Sequence, residues 1–472
     1  FSQKKPKNKM GVLDEAVKLG KAGYGVLSDA IGGGRISTRQ PSGLKAEADP
    51  KLGTLQIDTG AMERGGTLGK NIEFLRKGEY PGLSSLSKLP DDEAVDLINN
   101  MQQTNLKWIM EKLPEGFRDR AKLWYVGANR FSDELSKKYG SDRASVSGVL
   151  ASLSPQKDWF QNASLAERVM DAAINNRNFP WSSEMDNVAK QYDTFTKPKN
   201  LPTWKKIKGK KYSELETLDE KAMWIRAYDQ AHNPRTYRAL TPEGDLGEIV
   251  LKADGKPSAV SWGSFGEIKK AVKSLESNGD LNIISDAMGD KHKVRSFFNN
   301  IEVPFSDFGD ITIDTHAIAA GWMKPLGGSD QLTSQGLGLA GGGSVITGAK
   351  GSYGQIADNY RAIAGEYGIL PRETQSVIWE RVRGLFGNKN ADLKKKVDDI
   401  WSAIDKGDLT QEQGLNLIEE ASGGYADAGW IKEARPVRGI NTGGSTMYSG
   451  ALPVGLATGG ALALLPEDGR PQ

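Results

Sequence analysis

The sequence predicts a mostly α-helical protein. From Pro90 onward, apolar residues recur at helical spacing in one stretch after another, and each stretch is bounded by a cap or by a Gly or Pro stop. Strand-like patterning is limited to short segments, chiefly the one before Trp262, and no repeat of solenoid period is visible. At 472 residues the chain suggests roughly two to four domain-sized units and is long enough to bury a real core.

The first 85 residues read as an irregular arm, rich in Gly, Lys and Ser, with one weak helical run at Val12–Ala30. Four helices are expected within 86–194. DDEAVDLINNMQQTNLKWIMEKL opens on acidic residues, as a helix N-terminus prefers, and sets Ala94, Leu97, Ile98 and Met101 on one face. FRDRAKLWYVGANRFSDELSKKYG reads as one helix closed by Gly140. RASVSGVLASLSPQ follows, ending at Ser154-Pro155, and then KDWFQNASLAERVMDAAINN. Residues 195–262 break the pattern. TKPKNLPTWKKIKGKKYSE and then EIVLKADGKPSAVSW read as a basic, mixed α/β insertion with a hairpin turning at Asp254-Gly255.

Helices resume over 263–388 with SFGEIKKAVKSLES and NIISDAMGDKHKVRSFFNNI, then DITIDTHAIAAGW, a strand-to-helix turn. The Gly-rich loop Leu326–Gly354 is too long for a plain connection. Its GLGLAGGGS lacks the Lys-Ser/Thr of a P-loop, so nucleotide binding there is rejected. YGQIADNYRAIAGEYG and PRETQSVIWERVRGLFG are two further helices, the second with Pro371 at its start. Residues 389–430 read as a helical hairpin with capping-box spacing at Thr410 and Gln413. Residues 431–472 read as a Gly/Ala-rich tail. Its apolar stretch ALPVGLATGGALALL is shorter than the roughly 20 residues that cross a bilayer, so no transmembrane span is expected.

Composition narrows the chemistry. Net charge is only +2, so any basic surface must be local. Without cysteine there are no disulfides, thiolate zinc sites, iron–sulfur clusters or cysteine nucleophile. The three histidines, His232, His292 and His316, are far apart, so neither a metal nor a cofactor is expected. Carboxylates and lysines are left to carry a reaction. The chain begins at Phe1 rather than Met, which reads as a piece of a longer polypeptide.

Two stretches read together. GVLASLSPQKDWFQNASLAERVM is an apolar helix, a Ser/Gln element and an Asn-bearing helix; GDKHKVRSFFNNIEVPFSDFGDITIDTHAIAAGW is a glycine turn, a lysine-bearing helix and an Asp-Thr-His turn. The combination resembles the helix-hairpin-helix DNA glycosylase superfamily of endonuclease III type, over about residues 90–190 and 263–386. WYVGAN, LSPQKDW, IDTHA and QSVIWERVR also look like glycosylase-like proteins of bacteriophages. The resemblance implies a two-lobed helical fold in which the helices of 353–386 return to pack on those of 90–140, with Asp314 at the seam. It implies Asp314 as the catalytic carboxylate and Lys293, with Lys291 as runner-up, as the amine of a lyase step. It implies Gln156 and Asn162 facing duplex DNA from which a base is flipped, and Gly289 at the phosphate-binding hairpin. DAMGDKHKV departs from the family's L-P-G-V-G hairpin in having one glycine; Lys291, His292 and Lys293 would replace part of the anchoring by charge. Lys205 and Lys206, in the run WKKIKGKKY, are further candidate DNA contacts.

Read alone, Asp314 is a helix cap, a role compatible with catalysis because a cap is well oriented. His316 reads as a packed or capping residue. Trp124, Tyr125, Trp379 and Phe386 read as core at helical spacing. The expected function is excision of a damaged or modified base from DNA, with or without strand cleavage, in the host-cell cytoplasm or carried in a phage virion. The rival is a non-catalytic virion or DNA-ejection protein, partnered by other phage virion proteins, that keeps the scaffold. A peptidoglycan-cleaving ejection protein ranks last, for want of a catalytic Glu segment.

Overall fold

The computed structural model describes residues 80–424 except 253, 290–291, 307–309, 338–351 and 387–390, together with 48–49, 54–55 and Leu75. Most of the expected arm, the whole expected tail, the middle of the Gly-rich loop and Lys291 lie outside the described residues. The protein is mostly helical. No described helix is long and apolar enough to cross a membrane.

Asp91–Lys112 (α1) opens on Asp91, Asp92 and Glu93, and buries Ala94, Ile98 and Met101. The segment expected as one helix is two, Glu115–Ala121 (α2) and Trp124–Tyr139 (α3). The chain tightens between them, where the Leu123 N–H reaches back only three residues, to the Arg120 carbonyl at 3.1 Å. Gly140 ends α3 in the left-handed conformation, φ 63°. Arg143–Leu153 (α4), capped by Asp142, is buried from Ser145 to Leu153. Its small residues admit close neighbours: a Cβ on Gly148 would lie 2.8 Å from the Ser274 Cβ of a facing helix. Trp159–Met170 (α5) is capped by Asp158 and runs on through a π-turn at 171–175.

Residues 195–262 are more ordered than the expected insertion. After Ser183–Gln191 (α6) come Leu201–Ile207 (α7) and a full helix, Leu218–His232 (α8), which starts at a Thr217/Glu220 capping box. The expected hairpin turn at Asp254-Gly255 is present, and a second pairing precedes it. Two two-residue strands from the arm, Ala48–Asp49 (β1) and Thr54–Leu55 (β2), pair with each other; Arg238–Leu240 (β3) pairs antiparallel with Leu246–Ile249 (β4). The β3–β4 turn is at Thr241–Asp245, closed by Thr241 N–H to the Asp245 carbonyl at 2.8 Å and Asp245 N–H to Thr241 Oγ1 at 3.1 Å. Asp254-Gly255 reverses the chain as expected, inside an antiparallel bridge between Leu251 and Pro257, with the Lys252 N–H on the Lys256 carbonyl at 2.8 Å and the Ser258 N–H on the Val250 carbonyl at 2.7 Å. A buried ion pair ties α8 to α5: Arg168 Nη1 lies 2.7 Å from Asp229 Oδ1, and Trp262 Nε1 donates to the other carboxylate oxygen at 2.7 Å.

The remaining helices are Phe265–Leu275 (α9), Leu281–Met288 (α10), His292–Glu302 (α11), Thr315–Trp322 (α12), Gln331–Gly336 (α13), Tyr353–Tyr367 (α14), Pro371–Leu385 (α15), Ala391–Asp405 (α16) and Gln411–Ala421 (α17). They fall into two packed groups. In one, α4 is the centre, covered by α9, α10, α11, α3 and α5. In the other, α12, α14 and α15 pack on α1, as expected for the returning helices 353–386. Helix α3 touches both α4 and α15 and so bridges the groups. Ala151, Ile284, Met288, Val294 and Phe298 form a small apolar cluster that seats the α10–α11 hairpin on α4.

Candidate functional site

The segment that delivers Asp314 is not part of a sheet among the described residues, and side chains take the place of a neighbouring strand. The Tyr353 hydroxyl donates to the Ile311 carbonyl at 2.8 Å and accepts from the Ile313 N–H at 3.0 Å. From α11, Asn299 Nδ2 reaches Asp310 Oδ1 and Asn300 Nδ2 reaches Thr312 Oγ1, both at 3.1 Å. Ile311 and Ile313 anchor the segment in the core, 1 % and 0 % exposed. Asp314 emerges half-buried, and its Oδ1 caps α12 by accepting the Ala317 N–H at 2.8 Å. Tyr360 holds the helix behind it by donating to the Ala317 carbonyl at 3.1 Å.

Asp314 opens into a cleft of about 1000 Å³ between the two helix groups. Lys293, Gln156 and Asn162 line the same cleft, although they come from segments far apart in sequence. Lys293 is half-buried on α11, and its Nζ donates to the Ser154 carbonyl at 3.1 Å. Burial holds its ammonium below the usual lysine range, against an opposing pull from Asp314 and Glu267. Gln156 is exposed at the tip of the turn between α4 and α5, in the left-handed region at φ 56°, where a non-glycine residue is strained. Asn162 is almost fully buried; its Nδ2 donates to the Leu150 carbonyl at 3.0 Å, while its Oδ1 has no partner among the described residues.

The other expected contacts are placed differently. Gly289 ends α10 at φ 59°, but its N–H is taken by the Ser285 carbonyl at 3.1 Å. Arg295 of α11 staples the hairpin, donating to the Gly289 carbonyl at 2.6 Å and to the Ser285 carbonyl at 2.9 Å. His292 opens α11. Lys205 and Lys206 lie on α7, away from the cleft lining; Lys205 is exposed, and Lys206 pairs with Glu220 at 2.6 Å and Glu216 at 3.4 Å. The positive charge of the lysine run is therefore partly answered within the chain.

Sequence reasoning missed several lining residues. Trp124, Tyr125 and Trp379, read as core, also wall the cleft. Trp159 and Phe297 meet edge to face at 5.9 Å, and Trp124 and Trp379 at 5.3 Å, which builds a rigid aromatic wall. The guanidinium of Arg383 lies 4.9 Å from the Trp379 ring centre. Tyr125 donates to Gln375 Oε1 at 2.7 Å, and burial pushes its phenol well above the usual range. Glu267, at the start of α9, is half-buried; burial pushes its carboxyl up, and Lys157 and Lys270 pull it back. Lys157, Lys270, Lys293 and Arg383 thus face Asp158, Glu267 and Asp314 around one aromatic-walled space. Among the described residues no group of three His, Asp or Glu side chains is arranged to hold a metal ion.

No curated protein and no solved structure matches the chain. One family model matches residues 102–213 and 252–385, and every residue lining the cleft falls inside those two segments, while α8 and the β3–β4 hairpin fall between them. On that match the chain belongs to a family of unknown function, DUF7178.

Proposed function

We propose that the protein is a DNA N-glycosylase of helix-hairpin-helix type that removes a damaged or modified base flipped into the cleft. The observation that carries this reading is the convergence of Asp314, Lys293 and Gln156 on one cleft walled by aromatic rings. Breaking an N-glycosidic bond sends the bonding electrons to the departing base and builds positive charge on the sugar. The Asp314 carboxylate, fixed by its cap and by the clamped segment before it, stabilises that charge while water adds at C1′. Alternatively the Lys293 amine adds at C1′ as the base leaves, and the resulting iminium loses a C2′ proton and expels the 3′ phosphate. A depressed ammonium favours Lys293 as a nucleophile. The aromatic rings offer flat apolar faces for an extrahelical base, and the strained Gln156 stands where a side chain would fill the gap left in the duplex.

The test is incubation with duplexes carrying uracil, 8-oxoguanine, alkylated or hypermodified bases, followed by detection of free base. Asp314→Asn should abolish release while duplex binding is retained. Release by the variant at the wild-type rate would refute the role of Asp314, and no release from any substrate would favour the non-catalytic scaffold.

A further inference from the structure

Three buried polar side chains of the cleft take no part in the proposed bond cleavage. Ser152 on α4, Ser154 at its end and Asn162 on α5 all line the cleft, and they are 1 %, 4 % and 1 % exposed. Among the described residues, neither serine Oγ nor Asn162 Oδ1 has a hydrogen-bond partner. The local backbone shows how this arises. Helix α4 tightens in its last turn, where the Ser154 N–H reaches back only three residues, to the Ala151 carbonyl at 3.2 Å. The Leu150 carbonyl, which that N–H would take in a regular helix, receives Asn162 Nδ2 instead at 3.0 Å. Asn162 is thereby held with its amide nitrogen on the protein and its oxygen left over. The Ser154 carbonyl in turn receives Lys293 Nζ at 3.1 Å, which sets the proposed amine on the same turn.

A buried polar atom without a partner is costly, and three on adjoining elements of one cleft call for a partner from outside the chain. The chemistry of the set says which kind. An amide oxygen only accepts, so it needs an N–H or O–H. A hydroxyl also donates, so each serine suits a ring nitrogen or a carbonyl oxygen. Trp159 lies one turn before Asn162 on the same face of α5, so a flat apolar surface adjoins the polar set. A planar heterocycle with an N–H donor and acceptors along one edge suits both the ring and the polar atoms.

We infer that Ser152, Ser154 and Asn162 form a specificity subsite that reads the hydrogen-bonding edge of a nucleobase, with Asn162 Oδ1 accepting an N–H of the base. That the base arrives on DNA rests on the base-excision reading; the subsite itself needs only the base. It selects against bases whose edge lacks an N–H, which stacking alone would admit.

The test is ligand-observed saturation-transfer NMR with the full chain and 9-methyladenine, 1-methylcytosine and 1-methyluracil, in which a methyl group stands for the sugar. These carry no glycosidic bond, so binding is read separately from excision. At least one should bind. The counterpart of the best binder without the edge N–H (9-methylpurine, 1-methylpyrimidin-2-one or 1,3-dimethyluracil) should bind roughly tenfold more weakly. Ser152→Ala and Ser154→Ala should each weaken the base severalfold and yet raise the urea midpoint, because each removes an unpaired buried hydroxyl. A serine that merely packs would leave base binding unchanged. The inference is overturned by no binding of any of the three bases, by equal binding of the counterpart, by wild-type affinity in both serine variants, or by lower midpoints in both. Base binding without excision from any duplex would keep the subsite and refute the excision reading; excision without base binding would do the reverse.

Discussion

Replacing Gly127 with Ala sets two effects of opposite sign against each other. Gly127 lies inside α3, where Ala is the better helix former by about 1 kcal/mol. A Cβ there would sit 2.1 Å from the Pro242 carbonyl oxygen and 2.6 Å from the Gly244 nitrogen. These are backbone atoms of the β3–β4 turn and cannot swing aside as a side-chain tip would. The turn is also pinned on both sides: Arg120 Nε lies 2.9 Å from Glu243 Oε1, and Arg130 Nη2 lies 2.8 Å from Asp245 Oδ1. Overpacking against such a neighbour costs up to about 3 kcal/mol, so Gly127→Ala should lose about 2 kcal/mol net. Urea unfolding reads this as a lower midpoint at unchanged slope. Limited proteolysis should also cut earlier within 241–245 as the turn lifts off α3. A variant more stable than wild type by about 1 kcal/mol would show that helix propensity alone governs the site and that the turn is not docked there.

Three further outcomes follow from the cleft. Asp314→Ala should cost about 1 kcal/mol of stability by removing the cap on α12, whereas Asp314→Asn should cost little and still lose roughly a hundredfold or more in excision; equal stability losses in thermal melts would refute the cap assignment. Borohydride trapping of a preformed abasic duplex should rise with pH to a midpoint below the ordinary lysine value of about 10.4, because burial depresses Lys293. Asp314→Asn should move that midpoint lower, since the Asp314 charge raises it. In that same window the unfolded chain binds the extra proton, so the Lys293 contribution to stability increases as pH rises; a midpoint at the ordinary value would refute both statements. Gln156→Gly should stabilise the fold by about 1 kcal/mol by relieving its left-handed backbone, yet weaken duplex binding; no gain in urea midpoint would show that the turn holds no strain.

Local signals in the sequence located the helices well where caps and periodicity agree. Asp142, Asp158, Ser264, Asp314 and Thr410 all cap helices through their side chains. Local pattern hides α8 although Thr217 and Glu220 spell a capping box, because the lysines and prolines just before it read as loop. Asp254-Gly255 marks its hairpin turn through a favourable dipeptide, whereas the chain's choice to turn also at Thr241–Asp245, where Gly244 at φ 92° abuts α3, goes unread. That choice is tertiary and leaves no mark in a local pattern. The same holds for the site. Asp314, Lys293 and Gln156 stood out through motif order, whereas Lys157, Lys270 and Glu267 look like ordinary solvated charges until the turn after α4 and the start of α9 bring them together. The aromatic residues fit the core reading and the cleft reading at once, because a cleft wall is a core surface with one side open.

The single hydroxyl of Tyr353 has a consequence for solubility. Ile311, Thr312 and Ile313 are the kind of β-branched run that invites another chain to add a strand along an open edge. Here the Ile311 carbonyl and the Ile313 N–H are both engaged by one phenol oxygen, and both isoleucines are buried. The edge that carries these two groups is thus closed to an intruding strand. Tyr353 serves as a guard against self-association as well as a strut for Asp314, so its loss should be felt first as aggregation on concentration.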